Sequence, residues 1–209
     1  SAAAAAASLS GFVATVTAER TTHAVTAHLR ATEALTDHVT GLLNRRAFER
    51  LLERETFRAA REATSVSVLM LAIDQPGPQS AAALSAIAAV VDAAVRRSDV
   101  VCRWGGEVFA VALPRSNGEG ACVAAERIRA AVEAHDFGLG PITVSLGVAE
   151  RRGDESGLEL MERTSRALVE AKASGHNRVT QASWRLRLPP PDAALRRGDK
   201  TPATLAFEE

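Results

Sequence analysis

The sequence has 209 residues, enough for one domain of ordinary size with extensions at both ends. Apolar residues make up 46% of it and charged residues 24%, which is enough to fill a core and excludes wholesale disorder. Lys plus Arg and Asp plus Glu each total 25, so the basic excess needed for general attraction to nucleic acid or a membrane surface is absent. We therefore expect no DNA or RNA partner, and any anionic ligand to be held by a few placed arginines.

Two cysteines, Cys102 and Cys122, lie within apolar runs. This placement favours buried small hydrophobic residues over a disulfide framework or a zinc site. It fits a reducing compartment, and we predict a cytoplasmic protein. The sequence has no apolar stretch near the ~20 residues of a transmembrane helix, so we expect no membrane segment in this chain.

The first predicted elements are helical. Residues 1–36 are interpreted as a linker and an N-terminal connecting or dimerising helix with sparse apolar positions. A second helix starts at Asn44, and the β-branched apolar run 65–73 predicts a buried strand that the Pro76-Gly77-Pro78 sequence ends. Ser80 is expected to cap the next helix, which ends near 96–99.

The second half of the chain alternates strands and helices. Gly105-Gly106 between two apolar runs predicts a β-hairpin. The elements expected are strands at 100–104, 108–114, 142–148 and 178–181 and helices at 119–134 and 157–174. Residues 185–209 contain Pro189-Pro190-Pro191 and are interpreted as a tail. This order predicts an α/β fold, an α+β sandwich in which helices cover a single central sheet that includes the hairpin.

Four segments in this order resemble the GGDEF (diguanylate cyclase) family: DHVTGLLNRRAF (37–48), RWGGEVF (103–109), ITVSLGVA (142–149) and ALVEAKASGHNRV (167–179). We therefore predict a GGDEF domain over residues 37–184. The resemblance implies a palm-like sheet related to nucleotide cyclases. It also implies condensation of two GTP molecules into cyclic di-GMP, a bacterial second messenger.

The sequence departs from the family where the resemblance implies that carboxylates bind Mg²⁺. Ala72 stands at the metal-binding position on the strand, and its methyl group has no oxygen donor for Mg²⁺. On the hairpin, Glu107 keeps the first acidic position, but Val108 replaces the second, to which the resemblance assigns a catalytic role. Asp74 is expected to lie beyond the strand's end or on its other side, and therefore to be a poor substitute.

Other active-site features are reduced to a vestigial loop. The segment QPGPQSAAAL (75–84) lacks the Asn and Asp that contact guanine in the family, and His176 replaces a family arginine. Of the active-site pattern Gly105, Gly106, Glu107 and Lys172 remain. We therefore expect a domain degenerate at its active site, with no catalytic residue, no bound metal, no required cofactor and no enzymatic activity.

A different family site is retained. Arg96 and Asp99 match the R-x-x-D inhibitory site at the family spacing before the hairpin, and Arg127 matches a second arginine of the same site. The resemblance implies that they bind cyclic di-GMP, usually as an intercalated dimer. A guanidinium can pair with guanine O6 and N7, and a carboxylate can accept from the donor edge of that base. The alternative is a local Arg96–Asp99 ion pair, while Arg97 and Arg103 are expected to be solvated.

Three functions remain open at this point. The leading hypothesis is a cyclic di-GMP receptor that regulates dimerisation or a protein partner. The second is a structural dimerisation or docking domain that binds no nucleotide. The third is a weakly active diguanylate cyclase in which Asp74 and Glu107 recruit a metal.

Overall fold

The computed structural model describes residues 35–74 and 80–183. The expected N-terminal connecting helix, the segment 75–79 and the expected tail 185–209 lie outside these residues. The strands are β1 (Leu43–Asn44), β2 (Val66–Ile73), β3 (Val100–Gly105), β4 (Val108–Pro114), β5 (Val144–Glu150) and β6 (Val179–Gln181). The helices are α1 (Arg45–Glu62), α2 (Ala81–Ala93), α3 (Gly118–Ala134) and α4 (Gly157–Ala173).

The six strands form one sheet in the order β1-β3-β4-β2-β5-β6. The central strand β2 runs antiparallel to both neighbours, β4 and β5, whereas the outer strands β1 and β6 are parallel to theirs. Every residue of β2 is buried, as expected for a strand covered on both faces. The predicted fold class is confirmed.

Alternation along β2 divides the core into two layers. Leu69, Leu71 and Ile73 pack with residues of α2 and α3 on one face. Val68, Met70 and Ala72 pack with residues of α1 and α4 on the other. The second layer also includes Val108 and Trp104 at its margin, so the hairpin tip closes one end of that layer.

The helix starts follow local hydrogen bonding. The side chains of Asn44, Ser80, Asn117 and Ser156 each accept a backbone N–H three residues later and so act as N-caps. The cap expected at Ser80 is therefore present. Strand β5 runs to Glu150, beyond the predicted end at residue 148, because its pairing with β2 continues to Ser67.

The contact between α4 and β5 depends on Gly147. A Cβ atom built at this position would lie 2.4 Å from the carbonyl oxygen of Thr164 and 2.3 Å from the amide nitrogen of Leu168. The missing side chain lets α4 approach the sheet closely, which fixes the position of its C-terminal end and of Lys172.

Candidate functional site

A tight turn joins α2 to β3 and holds Arg96 and Asp99. The Arg96 N–H donates to Asp99 Oδ2 at 2.9 Å, and the Asp99 N–H donates to the Arg96 carbonyl at 2.9 Å. The Asp99 carboxylate therefore binds the Arg96 backbone rather than its guanidinium. Arg96 is exposed, and its guanidinium makes no hydrogen bond or ion pair with the described residues. This geometry differs from the local ion pair considered as the alternative.

Arg127 reaches the same end of α2 from the neighbouring helix. It lies on the exposed side of α3, and its Nε donates to the carbonyl oxygen of Ala94 at 2.6 Å. Ala94 is two residues before Arg96. The fold thus brings Arg127 next to the turn, although 31 positions separate it from Arg96 in the sequence.

The hairpin tip is anchored by an ion pair. Gly106 has a φ of 55°, in the left-handed region that glycine adopts without strain. The Arg103 Nε donates to the Gly106 carbonyl at 3.0 Å, and its Nη1 lies 3.2 Å from both Asp37 carboxylate oxygens. The sequence suggested that Arg103 is a solvated charge, and this prediction is wrong. Arg103 ties the tip to the segment before β1.

Asp37 is a strong acceptor at this anchor. Its Oδ1 also accepts from the backbone N–H groups of Val39 and Thr40 and from the Thr40 hydroxyl. Burial acts to raise the pKa of Asp37, but the hydrogen bonds from Thr40 and Arg103 outweigh it and leave the pKa below its ordinary value. The anchor is therefore built around an ionised carboxylate.

The two apolar replacements face each other in the sheet. Ala72 on β2 is paired with Val108 on β4. Ala72 is only 2% exposed, and Val108 is half-buried. The neighbouring Glu107 has a half-buried side chain that makes no hydrogen bond or ion pair with the described residues, while its carbonyl accepts from Ile73.

Asp74 lies just beyond the end of β2 and serves as a structural clip. Its Oδ1 accepts from the Ser145 hydroxyl at 2.7 Å. Its Oδ2 accepts from the Thr143 hydroxyl at 2.7 Å and from the Asn177 N–H at 3.0 Å. Asp74 and Ala72 are two residues apart, and residues two apart in a strand point to the same face of the sheet. Asp74 is therefore a poor substitute for a carboxylate at Ala72 because it lies beyond the end of the strand and its oxygens accept these hydrogen bonds. It does not point to the opposite face.

These residues do not fit a magnesium ion held by paired carboxylates. The facing pair Ala72 and Val108 supplies no oxygen, and both Asp74 oxygens already accept hydrogen bonds. No group of three or more His, Cys, Asp or Glu side chains that could hold a metal occurs in residues 35–74 and 80–183. The predicted vestigial loop, with Gly105, Gly106 and Glu107, therefore lies next to the apolar pair Ala72 and Val108.

The last turn of α4 carries Lys172, and the segment after it carries a residue that sequence reasoning missed. Lys172 is half-buried in the last helical turn and makes no hydrogen bond or ion pair with the described residues. Asn177, at a φ of 45°, donates to Glu133 at 2.8 Å and accepts from Arg129 at 2.9 Å. The hydrogen bonds of Arg129 and then Asn177 lower the pKa of Glu133. The sequence signal for this turn was the presence of Gly175 and Asn177 together, since both residue types tolerate the left-handed backbone conformation.

Comparison with known proteins agrees with this architecture. The family model described as "Diguanylate cyclase, GGDEF domain" matches residues 34–178. The chain belongs to the GGDEF family. The diguanylate cyclase DgcM of Escherichia coli K12 is 37% identical over 155 residues, which cover 70% of this chain and 38% of DgcM. This chain thus spans well under half the length of that relative.

Two solved GGDEF structures are also similar. The coiled coil and GGDEF domain of DgcB from Caulobacter crescentus, in complex with c-di-GMP, has a TM-score of 0.77 and 32% identity, and the match covers 84% of this chain and 100% of that one. The diguanylate cyclase SiaD from Pseudomonas aeruginosa, in complex with its activator SiaC, has a TM-score of 0.68 and 31% identity, with 81% and 70% covered.

These relatives correct one prediction. DgcM and SiaD are named diguanylate cyclases, so the prediction that the chain is not an enzyme is wrong. The departures at Ala72 and Val108 are local features of the sheet and do not outweigh the family evidence. Among the residues that the structure describes, every helix is too short or too polar to cross a lipid bilayer.

Proposed function

We propose that this GGDEF domain binds cyclic di-GMP at the turn between α2 and β3. Arg96 and Asp99 contact guanine there, and Arg127 reaches the ligand from α3. The observation that carries the proposal is the placement of Arg127 against the carbonyl of Ala94, beside an exposed Arg96 guanidinium. An arginine of the turn and an arginine of α3 thus lie at one surface.

The chemistry of the three side chains suits this ligand. The Arg96 guanidinium is a planar fork that pairs with guanine O6 and N7 and also stacks on a purine or binds phosphate. Asp99 Oδ2 is engaged by the turn, while Oδ1 accepts only from the Ser98 hydroxyl at 3.2 Å and retains capacity for N1–H or N2–H₂ of the base. The c-di-GMP complex of the DgcB relative supports this choice of ligand.

Isothermal titration with cyclic di-GMP tests the proposal. Wild-type protein is expected to bind, and Arg96→Ala to lose about 10–100-fold in affinity, since a bidentate arginine–guanine pair contributes about 1–3 kcal/mol. Arg97→Ala is the matched control, because Arg97 is the adjacent exposed arginine. Asp99→Asn keeps an acceptor for the turn but removes the charge, and is expected to weaken binding less than Arg96→Ala.

Two results would reject the proposed site. One is the absence of binding heat for the wild-type protein, which would favour the structural docking role. The other is equal affinity of wild-type protein and Arg96→Ala, which would place the ligand elsewhere.

Diguanylate cyclase activity is the second candidate function. The 37% identity to DgcM favours it. Incubation of the chain with GTP and Mg²⁺ or Mn²⁺, followed by chromatography, is expected to yield cyclic di-GMP. Wild-type protein that binds cyclic di-GMP but forms no product under either metal would retain the first function and discard this one.

The subunit arrangement follows from the first function. Binding at an exposed turn can regulate a homodimer or a protein partner, and the SiaD–SiaC complex supports the second possibility for a related domain. Light scattering with and without cyclic di-GMP distinguishes them: a ligand-dependent rise in mass supports the homodimer, and an unchanged mass supports a separate partner.

A further inference from the structure

Helix α1 carries a ridge of arginines on its outer side. Five of them are exposed and fall at spacings of four, four, four and three residues: Arg46, Arg50, Arg54, Arg58 and Arg61. A step of four residues advances about 40° around an α-helix and about 6 Å along it, so these positions lie on one side. Phe48, Leu52 and Ala59 face the core on the opposite side. We call the five residues the arginine ridge.

One arginine of the ridge forms an ion pair with the described residues. Arg58 pairs with Glu55, whereas Arg46, Arg50, Arg54 and Arg61 form no ion pair with the described residues. Arg50 instead donates to the Arg46 carbonyl. Like charges four residues apart destabilise a helix, so helix stability does not explain the pattern.

Two large apolar side chains are exposed beside the ridge. Phe57 of α1 is 70% exposed, and Leu158, in the first turn of α4, is 63% exposed. Glu53 connects the two positions, since it lies one helical turn before Phe57 and its Oε2 accepts the Gly157 N–H at 3.2 Å. Cations next to exposed aromatic and aliphatic side chains are typical of helices that lie on membrane surfaces.

We propose that this face of α1 binds the surface of an anionic phospholipid bilayer. The arginine ridge contacts the headgroups, and Phe57 and Leu158 enter the headgroup region. The ridge is about 18 Å long from Arg46 to Arg58, enough for several lipids. Duplex nucleic acid would use the arginines but gains nothing from Leu158, so the apolar pair favours the bilayer.

This inference departs from an expectation based on composition. Zero net charge argued against attraction to a membrane surface, but the total hides how the charges are distributed. The ridge gathers five cations on one helix side, and a surface of anionic lipid acts only over about one Debye length. Local charge therefore decides binding. The proposal does not depend on cyclic di-GMP binding.

Sedimentation of the full chain with vesicles tests the proposal. We expect binding to phosphatidylcholine vesicles that contain phosphatidylglycerol, no binding to pure phosphatidylcholine, and release at high salt. Arg50→Glu with Arg54→Glu is expected to lower the partition coefficient at least about tenfold. Phe57→Ser is expected to lower it several-fold, which a purely electrostatic contact would not show.

The matched control is Arg97→Glu with Arg178→Glu. It makes the same change in net charge at two exposed arginines away from α1, and we expect its partition coefficient to stay close to that of the wild type. Circular dichroism verifies the folding of each variant. The proposal is overturned by absence of binding to anionic vesicles or by an equal loss in the control. Tighter binding to duplex DNA or an acidic polypeptide, unaffected by Phe57→Ser, would assign the ridge to that partner instead.

Discussion

The turn after α2 and the end of β2 are both positions at which the family resemblance implies contact with nucleotide, and their surroundings differ. At the turn, the Arg96 guanidinium is exposed and Arg127 is beside it. At the end of β2, Ala72 faces Val108, and the carboxylate of Asp74 accepts from three donors. The turn offers an unpaired guanidinium to a ligand, whereas Asp74 uses its charge within the fold. A charged residue is therefore a stronger candidate for ligand binding when the fold leaves donors or acceptors of its side chain unused.

Adding carboxylates to the sheet should produce the largest change. Ala72→Asp with Val108→Glu puts two oxygen donors on facing strand positions. We expect Mg²⁺-dependent formation of cyclic di-GMP from GTP to rise about 10²–10³-fold over wild type, as electrostatic stabilisation by one group is worth that much. The measurement is the initial rate at saturating GTP.

Ala72→Asn with Val108→Gln is the control for that pair, because it has nearly the same volume and no charge. We expect no gain in rate and no stabilisation by Mg²⁺. A gain in the control, or none in the carboxylate pair when it is folded, would show that these two positions do not govern activity.

Removing the clip at Asp74 should reduce stability and leave ligand binding intact. Asp74→Ala leaves two hydroxyls and the Asn177 N–H without their acceptor, and we expect a loss of about 3–5 kcal/mol in the free energy of unfolding. Chemical denaturation measures it, with the exposed Asp136→Ala as control. Unchanged stability, or a parallel loss of cyclic di-GMP affinity in folded protein, would contradict the separation of the two regions.

The hairpin anchor should make stability depend on acid pH. The pKa of Asp37 is lower in the folded protein than its ordinary value of 3.8, so its contribution is fully present above that value and is lost as pH falls through the lower folded pKa. We expect Asp37→Asn to be less stable than wild type by about 1–3 kcal/mol at neutral pH. The difference should shrink below pH 3.8 in urea unfolding. A difference that is constant with pH would assign the effect to shape rather than charge.

The smallest effect is expected at Arg127. Its Nε is engaged by the Ala94 carbonyl, so only its remaining donors can reach a ligand. We expect Arg127→Ala to lower cyclic di-GMP affinity about three- to tenfold, in line with one charge-assisted contact of about 1 kcal/mol. Calorimetry with Arg166→Ala as control measures this. A loss greater than that of Arg96→Ala would reverse their assigned roles.

Local patterns predicted most of the fold. The Gly105-Gly106 pair and the flanking apolar runs located the hairpin, and Ser80 marked a helix start, because both signals act over a few residues. The spacing of Arg96 and Asp99 could also be recognised in the sequence. Contacts between residues far apart in the sequence could not be predicted. Asp74 meets Asn177 across 103 positions and Arg103 meets Asp37 across 66, and no local pattern specifies such contacts.

The arginine ridge could be predicted from the sequence only in part. The four-residue spacing of Arg46, Arg50, Arg54 and Arg58 is visible in the sequence. Whether this spacing forms a binding face depends on which side of α1 is buried and on the exposure of Phe57 and Leu158. Both follow from the packing of α1 against β2 and α4, which the sequence does not reveal. The expectation from net charge does not take into account how the charges are distributed over this face.

The most direct test of the central comparison is a nuclear magnetic resonance titration of the ¹⁵N-labelled chain with cyclic di-GMP. We predict changes in the amide signals of residues 94–99 and around Arg127, with those of residues 72–74 and 105–108 unmoved. Changes confined to the hairpin and the end of β2, or none at any ligand concentration, would contradict the assignment of the ligand to the turn.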